Sequence, residues 1–298
     1  MKHVKRLLFA TIIFITGNGC MTQKSSTTQL KDKIAAQIEK HKGRFAVAFK
    51  NLSTGEEILI NEHENFHAAS TMKTPVMIEV FKQVHAGKFS MNDSITLKNE
   101  FKSIVDGSSF SLSSGDDSEL ELYKHIGEKR SVYQLMYDMI IVSSNFATNL
   151  IIDLIGAKNA NETMRQMGAK DIQVLRGVED ENAYEKGMNN TTTAFDLMLI
   201  FSKIANGEVI SKSACDSMIY ILSDQHFNSV IPARLPKDVK VAHKTGSITS
   251  VQHDSGIVFL PDGKKYVLVL LSKEWTDEKD AIGLMADISK MIYDHVNK

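Results

Sequence analysis

Three short stretches of this chain carry residue types able to run acyl transfer. The first is Ser70-Thr71-Met72-Lys73. A serine hydroxyl is a poor nucleophile at neutral pH and needs a base beside it. Residues three apart share a helix face, so a helix opened by Ser70 brings Lys73 to its side. A desolvated lysine close to a second cation loses its proton near neutrality and can act as that base. The helix amino end also offers backbone N–H groups to a developing oxyanion. The second stretch is Ser143-Ser144-Asn145, between two helical segments. There Ser143 can shuttle a proton and Asn145 can bond a substrate amide, although Ser and Asn also make plain helix caps. The third is His243-Lys244-Thr245-Gly246-Ser247, expected to close a late strand. Lys244 is suited to hold a substrate carboxylate and to supply the second cation near Lys73. Gly246 lets a flat substrate approach the strand edge, but Thr-Gly is also ordinary where a strand becomes a turn. Ser-x-x-Lys, too, is common on solvated helix faces, but the order of the three stretches and their places on helix, interhelical loop and strand end are specific together.

A competing pattern is His63-Glu64-Asn65-Phe66-His67, which fits H-E-x-x-H letter for letter. On a helix it places two imidazoles one turn apart with Glu64 as base. No amphipathic pattern flanks it, and a helix through 63–67 buries Ser70 in mid-helix. Metal chemistry is therefore not expected.

The elements that must position these residues follow from periodicity. Leu30, Ile34 and Ile38 mark a helix face. Arg44–Lys50 and Glu57–Ile60 read as strands around a turn at 51–55. Helical segments dominate to about residue 206. Ser131 and Gln134 form a capping box before the stripe Val132, Leu135, Met136, Met139 and Ile140. Gly156 suits a helix stop after Ile155. Strands return at 239–243, 255–260 and 266–272, and a last helix at 277–296 carries Ile282, Met285, Ile288 and Ile292 on one face. The expectation is an α+β fold of three layers (α/β/α). Its antiparallel sheet is built from both termini, about 30–65 and 207–298, around an inserted all-helical subdomain, about 66–206.

With motifs and elements in place, the chain resembles the class A β-lactamases and the related penicillin-binding serine hydrolases. The resemblance runs from about residue 30 to 298 and includes the flanks Phe66–Ser70, Asn190–Thr193 and Val241–Lys244. It implies that a β-lactam carbonyl acylates Ser70, with Lys73 and Ser143 catalytic. It implies an oxyanion hole from the backbone N–H groups of Ser70 and Ser247. Asn145, Lys244, Thr245, Gly246 and Ser247 are the implied substrate-binding set. Glu179, in the acidic loop Arg176–Ala183, is the implied activator of the deacylating water, with Asp180, Glu181 and Asn182 as other possibilities. His253 stands where many members place an arginine for the substrate carboxylate; it either contacts that anion or packs against Asp254. Phe110 is either an aromatic cleft wall or a packing residue. The chain departs from the family in three places. Ser144 replaces the usual Asp of the second motif, the first and second motifs stand farther apart around Ser108–Asp117, and Ala183 replaces an Asn. The resemblance implies a β-lactam-opening hydrolase. A penicillin-binding DD-peptidase or esterase of the same fold, and a non-catalytic lipid-anchored cell-wall or antibiotic sensor, are the alternatives.

The bulk properties agree. The 298 residues are 43% hydrophobic, with 35 basic and 36 acidic side chains for a net charge of −1. That offers no electrostatic footprint for nucleic acid and excludes low-complexity and disordered classes. Two cysteines exclude a disulfide scaffold. Lys2, Lys5 and Arg6 precede the ten-residue apolar run Leu7–Thr16, too short for a membrane span and apt for a signal peptide over 1–19. Cys20 directly after it is a candidate lipidation site, and residues 20–29 a polar tether. The expected protein is a monomer of the periplasm or cell envelope, touching membrane only through that lipid. No cofactor is implied.

Overall fold

The computed structural model describes residues 25–298. The expected signal segment, Cys20 and the first part of the tether lie outside the described residues. Helix α1 (Ser26–Ile38) starts within the expected tether, because Ser25 Oγ caps Thr28 N. Strands β1 (Arg44–Asn51) and β2 (Glu57–Ile60) follow. A two-residue strand β3 (Phe66–His67) leads through a 3-10 turn, Ala69–Met72, into α2 (Lys73–His85). A polar excursion holds β4 (Ser94–Thr96), β5 (Phe101–Lys102), β6 (Ser109–Phe110) and β7 (Lys129–Ser131). Helices α3 (Val132–Ile141), α4 (Asn145–Ile155), α5 (Ala157–Gln166) and α6 (Glu181–Glu185) come next. After β8 (Thr191–Thr192) stand α7 (Ala194–Ala205) and α8 (Lys212–Ser223). Strands β9 (Lys240–Ile248), β10 (Val251–Phe259) and β11 (Lys265–Lys273) precede α9 (Glu278–Val296).

Strand alternation builds the three layers. In β1, Phe45, Val47 and Phe49 join the core under α1 and α9, while Ala46 and Ala48 face the helical side. In β11, Tyr266, Leu268 and Leu270 take the first side and Val267, Val269 and Leu271 the second. The sheet is antiparallel with order β2-β1-β11-β10-β9, so strands from both ends of the chain interleave as expected. The small Ala46 and Ala48 admit α7, which packs on β1, β10 and β11. In the helical layer α2 is central, with Val76, Met77, Ile78 and Val80 all buried.

The capping box at Ser131 and Gln134 is present, and its apolar stripe is buried. Gly156 ends α4 at φ +76°, a conformation that glycine adopts without strain. Helix α8 was not anticipated; its Cys215, Met218, Ile221 and Leu222 bury against neighbours that include β9, α7 and α3. Two local expectations are corrected. Ser70 does not open an α-helix but sits in the 3-10 turn, with α2 beginning at Lys73. Ala68 N donates to Asn190 O (2.8 Å) and Ala69 N to His67 Nδ1 (3.0 Å), so this backbone is tied down before helical bonding starts. The strand of the third motif does not end at 243 either. β9 runs on to Ile248 because pairing with β10 continues to Val251, which places Lys244–Ser247 inside an edge strand.

Gly256 of β10 faces His243 of β9 across this pairing, and a Cβ there meets Ala242 O at 2.6 Å and His243 Cβ at 2.5 Å. Gly256→Ala is expected to lower unfolding free energy by about 1–3 kcal/mol through overpacking, as read from urea denaturation. Unchanged stability would show that the β9–β10 pair yields freely.

Candidate active site

Ser70, Ser143, Asn145, Glu179, Thr245, Gly246 and Ser247 line one cleft of about 690 Å³ between the edge of β9 and the helical layer. Four elements bring them there: the 3-10 turn, the α3–α4 loop, the 176–190 loop and β9.

Lys73 and Lys244 lie beneath this cleft, both fully buried. They converge on one oxygen: Ser143 Oγ accepts from Lys73 Nζ at 3.1 Å and from Lys244 Nζ at 3.1 Å. Lys73 Nζ also donates to Ser143 O (2.6 Å) and Asn145 Oδ1 (3.0 Å), and Lys244 Nζ to Thr245 O (3.0 Å). Burial pulls the Lys73 ammonium down to about 7, against the opposing carboxylates of Asp117 and Glu179. The second-cation effect expected of Lys244 is thus not the main cause. Lys244 itself falls well below the usual lysine range, first through burial and then through the charge of Lys73. Lys244 reaches the cleft by way of Ser143 rather than lining it.

Asn145 joins the two candidate bases. Its Oδ1 accepts from Lys73 and its Nδ2 donates to Glu179 Oε1 at 2.8 Å. Burial raises the Glu179 carboxyl above the usual carboxylate range, and the Asn145 hydrogen bond partly offsets this. The neighbouring acids have other roles. Asp180 is buried and caps α6 through Ala183 N (3.1 Å) while accepting from Ser103 Oγ (2.8 Å) and Ile104 N (2.9 Å). Glu181 lines the cleft in the first turn of α6.

Ala69, Ser143 and Glu179 have φ of +45°, +58° and +61°. Non-glycine residues rarely take this region, and its occupants cluster at functional sites. Here the strained residues are the neighbour of Ser70, the lysine-bridging serine and the cleft acid.

Residues that sequence reasoning passed over hold this loop. Asn149, four residues after Asn145 on α4, clamps the backbone next to Glu179: Oδ1 accepts Val178 N (2.7 Å) and Nδ2 donates to Val178 O (3.0 Å). The Asn145–Asn149 spacing was the available signal. Arg176 donates to Met188 O (3.0 Å) and Asn189 Oδ1 (3.2 Å), which closes the loop on itself.

His253 is corrected. It is fully buried and does not line the cleft. Its Nε2 bonds His67 O (2.9 Å), and its Nδ1 lies 2.7 Å from Gln252 O and 3.2 Å from Ser272 N. Burial lowers its pKa to about 4, so it is neutral at pH 7 and offers no charge to an anion. Nor does it bond Asp254, which pairs with His243 at 2.8 Å. It sits on β10, where every residue from Val251 to Val258 is buried. Phe110 packs against Phe101 (5.9 Å between ring centroids) and does not line the cleft. The H-E-x-x-H letters fall on a turn and β3, so their helical spacing is absent. His63 lies against Phe195, and Glu64 pairs with Arg44 and Lys273.

The sheet with its inserted helical layer, and a serine above two buried lysines in one cleft, define an active-site serine hydrolase. The chain belongs to the Beta-lactamase enzyme family, which it matches over residues 29–296. It is similar to Beta-lactamase VEB-1 of Pseudomonas aeruginosa, at 24% identity over 99% of both chains. It is also similar to Beta-lactamase ROB-1 of Haemophilus influenzae, at 25% identity over 91% of this chain and 86% of that one. Among solved structures, a beta-lactamase from Sphaerobacter thermophilus matches with TM-score 0.77 and 25% identity, over 92% of this chain and 98% of that one. A PBP-A variant in an acyl-enzyme complex with penicillin G matches with TM-score 0.78 and 28% identity, over 91% and 97%. The protein is a β-lactam-hydrolysing enzyme.

Gly246 tests how closely β9 must approach the nucleophile turn. A Cβ on Gly246 falls 3.0 Å from both Ser70 N and Thr71 N. The glycine is required by this backbone approach as well as by any substrate. Gly246→Ala is expected to cut kcat/KM for nitrocefin by about 10-fold or more, since small misplacements at a reacting centre are costly. A variant with wild-type kcat/KM would show that the turn can retreat without loss.

Proposed function

We propose that Ser70 Oγ attacks the β-lactam carbonyl carbon and that the acyl-enzyme is hydrolysed by water activated at Glu179. In the first step the Ser70 proton passes to Lys73, or to Glu179 through a water, and the ring C–N bond breaks. Ser143, bonded to both lysines, passes its proton to the departing nitrogen and is reprotonated by Lys73. All three Lys73 donors are engaged, so Lys73 becomes a base only after losing one proton. Its pKa of about 7 makes that loss available at neutral pH. In the second step water adds to the ester carbonyl, its proton goes to Glu179, and the bond from the acyl carbon to Ser70 Oγ breaks as that proton is returned to Ser70 Oγ. The backbone N–H groups of Ser70 and Ser247 would bind the oxyanion of both steps. Thr245 and Ser247 on the β9 edge would receive the substrate carboxylate, with the positive charge of Lys244 behind them. The observation that carries this reading is Asn145, bonded at once to Lys73 and Glu179 in the cleft that Ser70 lines.

The test pairs nitrocefin turnover with intact-mass detection of a penicillin adduct. The unmodified chain should turn over without accumulating adduct. Glu179→Gln should still acylate, then hydrolyse roughly 10²–10⁴-fold more slowly and show a burst of about one equivalent. Glu181→Gln should resemble the unmodified chain. Normal turnover by Glu179→Gln would remove Glu179 as the base. Adduct accumulating on the unmodified chain would favour the peptidase-like alternative, with Ala183 unable to hold the hydrolytic water.

The amino-terminal pattern supports export to the periplasm or cell envelope with a lipid at Cys20. In cells, Cys20→Ser should move the protein from the membrane to the soluble fraction. Equal fractionation of the two forms would reject the lipid.

A further inference from the structure

The turn that presents Ser143 and Asn145 to Lys73 is held by a residue outside all three motifs. Asp117 lies within the polar excursion, between β6 and β7, and is only 8% exposed. Its Oδ1 accepts Asn145 N (3.0 Å) and its Oδ2 accepts Phe146 N (2.8 Å). Those are the first two amides of α4, groups that lack partners within the helix. Ser144 Oγ takes the third, Ala147 N, at 3.1 Å. A carboxylate at this end is favoured by hydrogen bonding and by the helix dipole together. Asp117 is itself fixed: Tyr123 OH donates to Oδ2 (3.0 Å) and Glu119 N to Oδ1 (3.1 Å).

We propose that Asp117 is a positioning residue for β-lactam hydrolysis, whose carboxylate locks the Ser143–Asn145 turn onto Lys73 from a separate loop. The inference rests on the acyl-enzyme reading above. Asn145 N is bound by Asp117 while Asn145 Oδ1 receives Lys73, so the carboxylate and the lysine grip one residue from two sides. Asp117 also acts through its charge. It opposes the effect of burial on Lys73 and adds to the upward push on Glu179. The charged groups around Lys73 are Lys244 from β9, Glu179 from the 176–190 loop and Asp117. Those around Asp117 also include Asp116 and Glu119. Removing the Asp117 charge therefore lets the Lys73 pKa fall, and the acid limb of acylation moves to lower pH.

The geometry offers its own rescue. Ser144 Oγ stands 3.5 Å from Asp117 Oδ2 and caps the same helix. An aspartate at 144 can supply a carboxylate there once Asp117 is gone. Beside an intact Asp117 it adds a like charge and should do harm.

The experiment measures benzylpenicillin acylation of the purified chain by stopped flow and intact mass, across pH. Asp117→Ala, or Asp117→Asn if the alanine variant does not fold, should acylate about 10- to 100-fold more slowly, the range for charge-assisted hydrogen bonds. Initial penicillin binding should change little, and the acid limb should shift to lower pH. Adding Ser144→Asp to Asp117→Ala should recover most of the rate and return the limb upward. Ser144→Asp alone should slow acylation. A folded Asp117 variant with wild-type rate and limb overturns the proposal, as does a folded double variant with no recovery. An unmodified chain that benzylpenicillin does not acylate overturns the acyl-enzyme reading instead.

Discussion

Two lysine ammonium groups, both buried, meet on the hydroxyl of Ser143 at 3.1 Å each. Burying one charge without compensation is costly, and two like charges add repulsion. The site is built around that constraint. Lys73 spreads its protons over two oxygens of Ser143 and one of Asn145, and Lys244 uses Ser143 and Thr245 O. Carboxylates of Asp117 and Glu179 act on Lys73 and that of Asp254 on Lys244. What remains uncompensated appears as lowered pKa values. The same arrangement that makes the lysines hard to bury makes Lys73 usable as a base near neutrality.

Holding this cluster fixes the backbone around it. The α3–α4 loop must turn sharply to aim both Ser143 O and Oγ at Lys73, and Ser143 takes φ +58°. Glu179, at φ +61°, is turned toward Asn145 while Asn149 clamps its neighbour Val178. Such conformations cost of order 1–3 kcal/mol each and persist where surrounding contacts over-determine them. The clamps by Asn149, Arg176 and Asp117 are those contacts.

His253 and Gly246 show how the sheet supports the turn that carries Ser70. His253 is a strut from β10 to the His67 carbonyl, three residues before Ser70. Gly246 leaves room for the Ser70 and Thr71 amides against β9. The sequence offers Gly246 as room for substrate and leaves His253 between an anion contact and packing against Asp254. The structure gives His253 to support, and gives Gly246 a packing requirement of its own.

The sequence by itself determined the layer architecture, because alternation in β1 and β11 and the capped apolar stripe of α3 are local patterns with fixed periods. It also marked Ser70, Lys73, Ser143, Asn145 and Lys244 as candidates, because each lies in one of three short stretches that are specific in combination. It did not determine that Ser70 sits in a 3-10 turn, since the restraint on that turn comes from Asn190, far along the chain. It did not direct His253 inward, or reveal that Asp117 completes the α4 cap from 28 residues upstream of Asn145. It left Glu179, Asp180 and Glu181 nearly equal, because neighbours in an acidic run share composition. Partners remote in sequence separated them, with Asn145 binding Glu179, and Ser103 and Ile104 binding Asp180. Pairings of that kind, and the burial that moves the Lys73 proton, exist only once the four elements have packed.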